Sequence, residues 1–114
     1  MESSDRPWGA YRVLSDEPTF KVKTITVRPG HRLSYQRHSR RAEHWFVVSG
    51  EGVVTLDGLD RPVRAGDSVD IPVQTAHRVA AVGHEDLVFV EVQTGTYFGE
   101  DDIVRLDDDY GRES

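Results

Sequence analysis

Four side chains of this 114-residue sequence, Gln36, His38, Glu43 and His77, are of types that coordinate cations, and strand alternation can direct them toward one mouth. Residues two apart on a β-strand share a face, so Gln36 and His38 project together, as do Arg41, Glu43, Trp45 and Val47. If Trp45 and Val47 face a core, Glu43 faces inward with them. An inward carboxylate is costly unless it is paired or bound to a cation, and the same holds for an imidazole or amide beside it. His77 follows a proline turn at the start of a later strand, where it can reach the same mouth. Taken singly, each is an ordinary hydrogen-bonded strand residue. As a set they point either to a metal site or to a buried polar network. The chain contains no cysteine, which excludes disulfides, thiolate nucleophiles and Cys-based zinc sites and leaves His, carboxylate and amide as donors.

The elements that must position this set are short strands. Turn signals recur at Pro29-Gly30, Ser49-Gly50, Asp57-Gly58, Ala65-Gly66, Pro72, Val82-Gly83 and Thr94-Gly95. Between them lie runs rich in Val, Ile, Thr and aromatics at 20–27, 45–48, 53–56, 68–71, 77–82 and 87–93, each of strand length and too short for an amphipathic helix. The pattern predicts an all-β sandwich or barrel occupying residues 1–114 as one domain, with its core over 20–95 and arms at 1–19 and 96–114. The one helical candidate is Glu100–Leu106, in an acidic tail.

Hydrophobic residues make up 37% and charged residues 30% of the chain, enough apolar content for one core under a wet surface. No apolar run approaches the roughly 20 residues of a membrane span, and the N-terminus lacks a signal-peptide stretch, so no membrane partner and a cytoplasmic location are expected. The net charge of -6 is concentrated at the end, because residues 100–114 hold seven acidic and two basic side chains. From Pro18 to Ala42 there are seven basic residues and no acidic one. That segment is either a solvated basic face or a site for a small anion. It lacks the spread aromatics and flanking basic excess of a nucleic-acid stripe, so no nucleic-acid partner is expected.

The spacing of the candidate ligands resembles the two motifs of the cupin superfamily. The first reads Gly30-x5-Gln36-x-His38-x4-Glu43-x6-Gly50, with Gln36 where the superfamily has its first histidine. The second reads Gly66-x5-Pro72-x-Gln74-x2-His77-x3-Ala81, with Gln74 at the turn glycine and Ala81 at the terminal asparagine. Gln36 still offers a carbonyl oxygen to a metal. Gln74 and Ala81 bear on the turn geometry. A narrower resemblance runs from RPWGAY at Arg6 to YGR at Arg112 through FKVKTITVRPG, LSYQRHSRRAEHWFVVSGEG, DIPVQTAHR, VEVQTGTYFGEDDIVR and DDDYGR. These strings look like the type II phosphomannose isomerase domain, usually the C-terminal part of a bifunctional enzyme that also carries mannose-1-phosphate guanylyltransferase activity. Here it is expected to stand alone, without the guanylyltransferase.

The resemblance implies a cupin jelly-roll barrel that interconverts mannose 6-phosphate and fructose 6-phosphate, feeding GDP-mannose and polysaccharide biosynthesis. It implies one divalent transition metal, Zn, Mn, Co, Ni or Fe, held by Gln36, His38, Glu43 and His77. Glu91 and Lys23 are the candidate bases, each on an otherwise apolar strand where burial would raise the Glu91 pKa and lower that of Lys23. Arg41 shares a face with Glu43 and suits phosphate oxygens, while Arg105 and Arg112 lie in the tail shared with the family. His44 alternates away from Glu43 and is read as packing or interface. A jelly roll of this size leaves sheet edges and an apolar outer face, so a homodimer is expected. The rival readings are a cupin oxygenase acting on a small organic acid and a sugar-phosphate-binding module without turnover.

Overall fold

The computed structural model describes residues 3–111, and every regular element among them is a β-strand. The larger sheet has six strands in the order β1 (Ser3–Arg6), β2 (Gly9–Asp16), β3 (Phe20–Val27), β10 (Leu87–Gly95), β5 (Arg41–Ser49) and β8 (Ser68–Ile71). The smaller has five, ordered β11 (Val104–Asp107), β4 (Tyr35–Arg37), β9 (His77–Ala81), β6 (Glu51–Leu56) and β7 (Leu59–Arg64). All pairings are antiparallel. The fold is the cupin jelly roll expected from the sequence. Alternation explains the faces: along β3 Lys21, Lys23, Ile25 and Val27 are buried, while the residues between them are partly exposed.

Register on the central strands then decides what meets inside. On β10, Phe89 lies opposite Ile25 and Val47, and Leu87 opposite Val27, which builds an apolar half with Trp45 and Val54. Farther along the same strands Glu91 lies opposite Lys23 and Trp45, and Gln93 opposite Glu43 and Lys21. The inner face therefore changes from apolar to charged without a change of strand. At the β5–β6 turn Gly50 has φ +84, and a Cβ there would stand 2.3 Å from the Asp86 carbonyl oxygen, so the turn needs glycine.

Two expectations differ from what is observed. The stretches 1–19 and 96–114, expected as arms, instead supply β1, β2 and β11 within their described residues, and Trp8 and Val13 of the first are buried in the barrel. The Glu100–Leu106 segment is not helical. It is a loop leading into β11, because its carboxylates are spent on partners across the barrel mouth, not on a helix terminus. On the outer face of the larger sheet Phe46 and Val48 are 45% and 49% exposed, the kind of apolar outer surface behind the expectation of a homodimer. Among the described residues no helix is long and apolar enough to cross a membrane.

Candidate functional site

The charged half of the barrel opens into one cavity lined by Gln36, His38, Arg41, Glu43, His77, Glu91, Lys23 and Arg105 together with Trp45, Ser34 and Glu100. All the candidate residues read from the sequence meet there except Arg112, which lies outside the described residues. Both sheets contribute. Glu43 comes from β5 of the larger sheet, while Gln36 in β4 and His77 in β9 are directly paired in the smaller one.

His38, Glu43 and His77 are buried and place their ligand atoms within 4.8 Å of one another. His38 Nε2 is 3.3 Å from Glu43 Oε2, and His77 Nε2 is 3.8 Å from Glu43 Oε1. The tautomers are fixed from behind. His38 Nδ1 donates to the Asp102 carbonyl at 2.6 Å and His77 Nδ1 to the Thr75 carbonyl at 2.9 Å, so each ring turns an unprotonated Nε2 inward. Burial holds the pKa of both imidazoles down, that of His38 to about 4, with the Arg41 charge adding to the effect on His38. Neutral imidazoles and a carboxylate are the donor set a divalent transition metal takes. Gln36 spends its amide nitrogen on Ser34 Oγ at 3.0 Å, and the atom a metal would use is the other one, Oε1. These residues fit the expected ion.

Gln74, where the motif has a glycine, adopts φ +66, the left-handed conformation the glycine would supply. Its N–H donates to the His38 carbonyl at 2.7 Å. The turn ahead of His77 is thus preserved by a strained glutamine anchored to the loop that carries the other histidine.

Arg41 and Glu91 flank the cluster. Arg41 Nε donates to Glu43 Oε2 at 2.9 Å and its Nη2 to His38 Nε2 at 3.2 Å, so the guanidinium grips two of the ligand side chains. Its Nη1 reaches Glu100 at 3.5 Å. The carboxyl of Glu91 is pushed up to about 8 by burial first and by the neighbouring Glu43 carboxylate second. The Trp45 indole N–H links the two acids, lying 2.9 Å from Glu43 Oε1 and 3.0 Å from Glu91 Oε1. Gln93 donates to the other Glu91 oxygen at 2.8 Å. Lys23, 3% exposed, rests over the Tyr11 ring and pairs with Glu100 at 3.1 Å. His44 faces outward and pairs with Asp70, as its alternation implied.

Sequence reasoning missed Trp45 as a polar bridge, and also Glu100 and Asp102. The shared face of Glu43 and Trp45 was a usable signal for the first. For the acids there was none beyond an acidic run that reads as solvated.

Residues 2–108 match the family model described as mannose-6-phosphate isomerase C-terminal. The alginate biosynthesis protein AlgA of Pseudomonas aeruginosa is 50% identical over 107 residues, covering 94% of this chain but 22% of that relative. The chain thus spans a small part of the curated relatives it resembles. Among solved structures, KdgF from Halomonas sp. superimposes with a TM-score of 0.79 at 20% identity, covering 89% of this chain and 90% of KdgF. A Bacillus subtilis oxalate decarboxylase, described with Mn(II) centres, gives a TM-score of 0.78 at 26% identity over 93% of this chain and 30% of that one.

Proposed function

The chain belongs to the mannose-6-phosphate isomerase C-terminal family, and from that premise we propose that it is a metal-dependent aldose–ketose isomerase acting on mannose 6-phosphate and fructose 6-phosphate. The observation that carries the reading is the buried Glu91 carboxyl, tied through the Trp45 indole to Glu43 of the His–Glu–His cluster. A polysaccharide-building role is carried over from the name of AlgA.

Isomerisation moves one hydrogen between adjacent carbons of the open-chain sugar. The C2–H bond breaks, a C1–H bond forms, the C2 hydroxyl loses its proton and the C1 oxygen gains one. Atoms and electrons balance without an oxidant. Gln36, His38, Glu43 and His77 would hold a divalent ion, which would supply Lewis acidity toward the sugar's carbonyl and hydroxyl oxygens. Glu91 is the proton carrier. A carboxyl raised to about 8 is a far stronger base than an ordinary one and still ionises near neutrality, as a group that must both take and return a proton requires. Trp45 and Gln93 hold its two oxygens in place. Lys23, directly opposite on β3, offers a compensating positive charge when Glu91 ionises. Arg41 orients Glu43 and His38 on one edge of its guanidinium and leaves Nη1 toward the cavity mouth.

The test is a coupled assay for fructose 6-phosphate after loading with Zn, Mn, Co, Ni or Fe, with elemental analysis alongside. His77→Ala and Glu43→Gln should lose the metal and the turnover together. Glu91→Gln should keep the metal and lose turnover by roughly 10²–10⁴-fold, the range of a general acid–base group. Metal-loaded protein that binds mannose 6-phosphate but never converts it would make the chain a binding module and end the isomerase reading.

A further inference from the structure

Residues 96–103 cross the cavity mouth and are pinned to the loop that carries His38. The Thr96 N–H donates to the Arg40 carbonyl at 3.0 Å, and the Asp102 carboxylate accepts from the Ser39 and Arg40 N–H groups at 3.1 and 2.9 Å. Between these anchors Glu100 turns its carboxylate back into the cavity, with Oε2 at 3.1 Å from Lys23 Nζ and 3.5 Å from Arg41 Nη1. The pairing is uneven. The side chains of Lys23 and Arg41 are 3% and 6% exposed, whereas that of Glu100 is 48% exposed. The cations are built into the barrel wall, and the anion reaches them from a surface loop.

Buried cations need anions: among the described residues Glu100 is the carboxylate that Lys23 pairs with, and Arg41 divides its guanidinium between the buried Glu43 and the half-exposed Glu100. The other close contact of Lys23 is the Tyr11 ring face, 4.5 Å from Nζ. Arg41 satisfies Glu43 through Nε, which leaves Nη1 aimed at the mouth. Arg105 lines the same cavity, and its Nε is buried without a hydrogen-bond partner. Among the described residues the mouth therefore presents more donors than the Glu100 carboxylate can satisfy. Burial pushes the Glu100 carboxyl up, but the Lys23 and Arg41 charges more than offset this and hold it below the ordinary range, so Glu100 is an anion at neutral pH.

We propose that Lys23 and Arg41 form an anion subsite for the phosphate of the sugar, and that Glu100 is a built-in substitute anion which the substrate must displace. The inference deepens the isomerase reading and rests on it for the identity of the ligand. One guanidinium then links the two ends of the site, holding Glu43 on one edge and the phosphate on another. Glu100 is a specificity-determining residue: a neutral sugar gains nothing by displacing it, while a phosphorylated one replaces a single carboxylate with more negative charge and more acceptor oxygens.

Calorimetric titration of the full chain with inorganic phosphate tests this without any turnover. Glu100→Gln removes the competing charge and should bind phosphate roughly tenfold more tightly than the wild type, in keeping with a charge-assisted contact that is partly exposed. Adding Lys23→Met to Glu100→Gln should cancel the gain, with thermal melting used to confirm that both variants are folded. A Glu100→Gln protein that binds phosphate no better than wild type overturns the proposal, as does a gain that survives Lys23→Met. The two readings fail separately. Tighter phosphate binding in a chain that never turns over mannose 6-phosphate removes the isomerase and leaves the subsite, whereas turnover without the gain removes only the subsite.

Discussion

The inner faces of β3, β5 and β10 divide into two halves that obey the same geometry and opposite chemistry. One half stacks Val27, Leu87, Phe89, Ile25 and Val47, and the other carries Lys21, Lys23, Glu43, Glu91 and Gln93 on the next inward positions of the same strands. Burial is as deep in the charged half as in the apolar one: Phe89 is 1% exposed and Glu91 is 4% exposed. Alternation decides only whether a side chain faces in. The apolar half holds the barrel closed by removing surface from water, while the charged half costs stability that is recovered only through pairing. Such a cost is tolerated where the groups do chemistry, so the halves should respond differently when broken.

The largest effect on folding belongs to the apolar half. Phe89 packs against Trp45 with ring centroids 4.6 Å apart and is almost fully buried. Phe89→Ala should cost about 3–5 kcal/mol, from lost transfer energy together with the cavity left behind. Chemical denaturation of wild type and variant measures it. A loss below about 1 kcal/mol would mean that the strands are held mainly by the charged half, and the division drawn above would fail.

In the charged half the effect is smaller and depends on pH. Glu91 is raised in the folded protein to about 8 from an ordinary carboxyl value of 4.5, so its burial is tolerated in full below the unfolded pKa and costs stability as pH rises toward 8. His38 has the opposite sign. Its pKa is lowered to about 4 from 6.5, so that contribution is complete above 6.5 and is lost as pH falls toward 4. The metal-free chain is squeezed from both sides. Glu91→Gln should release only the alkaline side, with a stability advantage over wild type that grows between pH 5 and 8 to about 2–4 kcal/mol. Urea titrations of chelator-treated protein at pH 5, 6.5 and 8 would show it, and parallel profiles for the two proteins would remove Glu91 as the source.

The same division explains what the sequence revealed. The strand runs 20–27 and 68–71 coincide with β3 and β8, because strongly alternating β-branched segments bounded by turn residues leave little choice. The convergence of His38, Glu43 and His77 was legible from spacing, since motif intervals survive even where Gln36 and Gln74 replace the usual residues. What was not legible depends on long-range register. Whether Glu91 meets Trp45 or a neighbour two residues away is decided by how β10 slides against β5, and no local pattern encodes that. The first strands read locally as an arm because they lie outside the strand runs found between the turn signals, although Trp8 and Val13 bind them to the sheet. The acidic tail reads locally as solvated or helical because a charge run has no intrinsic direction. Its partners, Lys23 for Glu100 and the backbone of Ser39 and Arg40 for Asp102, lie about sixty residues or more away in sequence.

The smallest expected effect isolates burial as the variable. Arg32 and Asp109 form a two-pronged pair at 2.7 Å through Nε and Nη2, a better hydrogen-bond geometry than the pair between Arg41 and Glu43 at 2.9 Å. Yet the Arg32 and Asp109 side chains are 42% and 39% exposed, against 6% and 2% for Arg41 and Glu43. If geometry ruled, the surface pair would be the stronger; if desolvation rules, water and salt screen it to well under 1 kcal/mol. The hydrogen bond from Arg32 holds the Asp109 carboxyl below its ordinary range, so whatever it contributes is present above the unfolded pKa and disappears as pH falls through the folded one. Asp109→Asn should therefore change stability at pH 7 by less than about 0.5–1 kcal/mol, and less still at 1 M salt. Arg41→Met, which leaves Glu43 buried without its cation, should cost the metal-free chain about 2–4 kcal/mol with little salt dependence. Comparable losses from the two substitutions would show that the mouth of the barrel is as wet as its rim, and that the low-dielectric setting assigned to Glu91 does not exist.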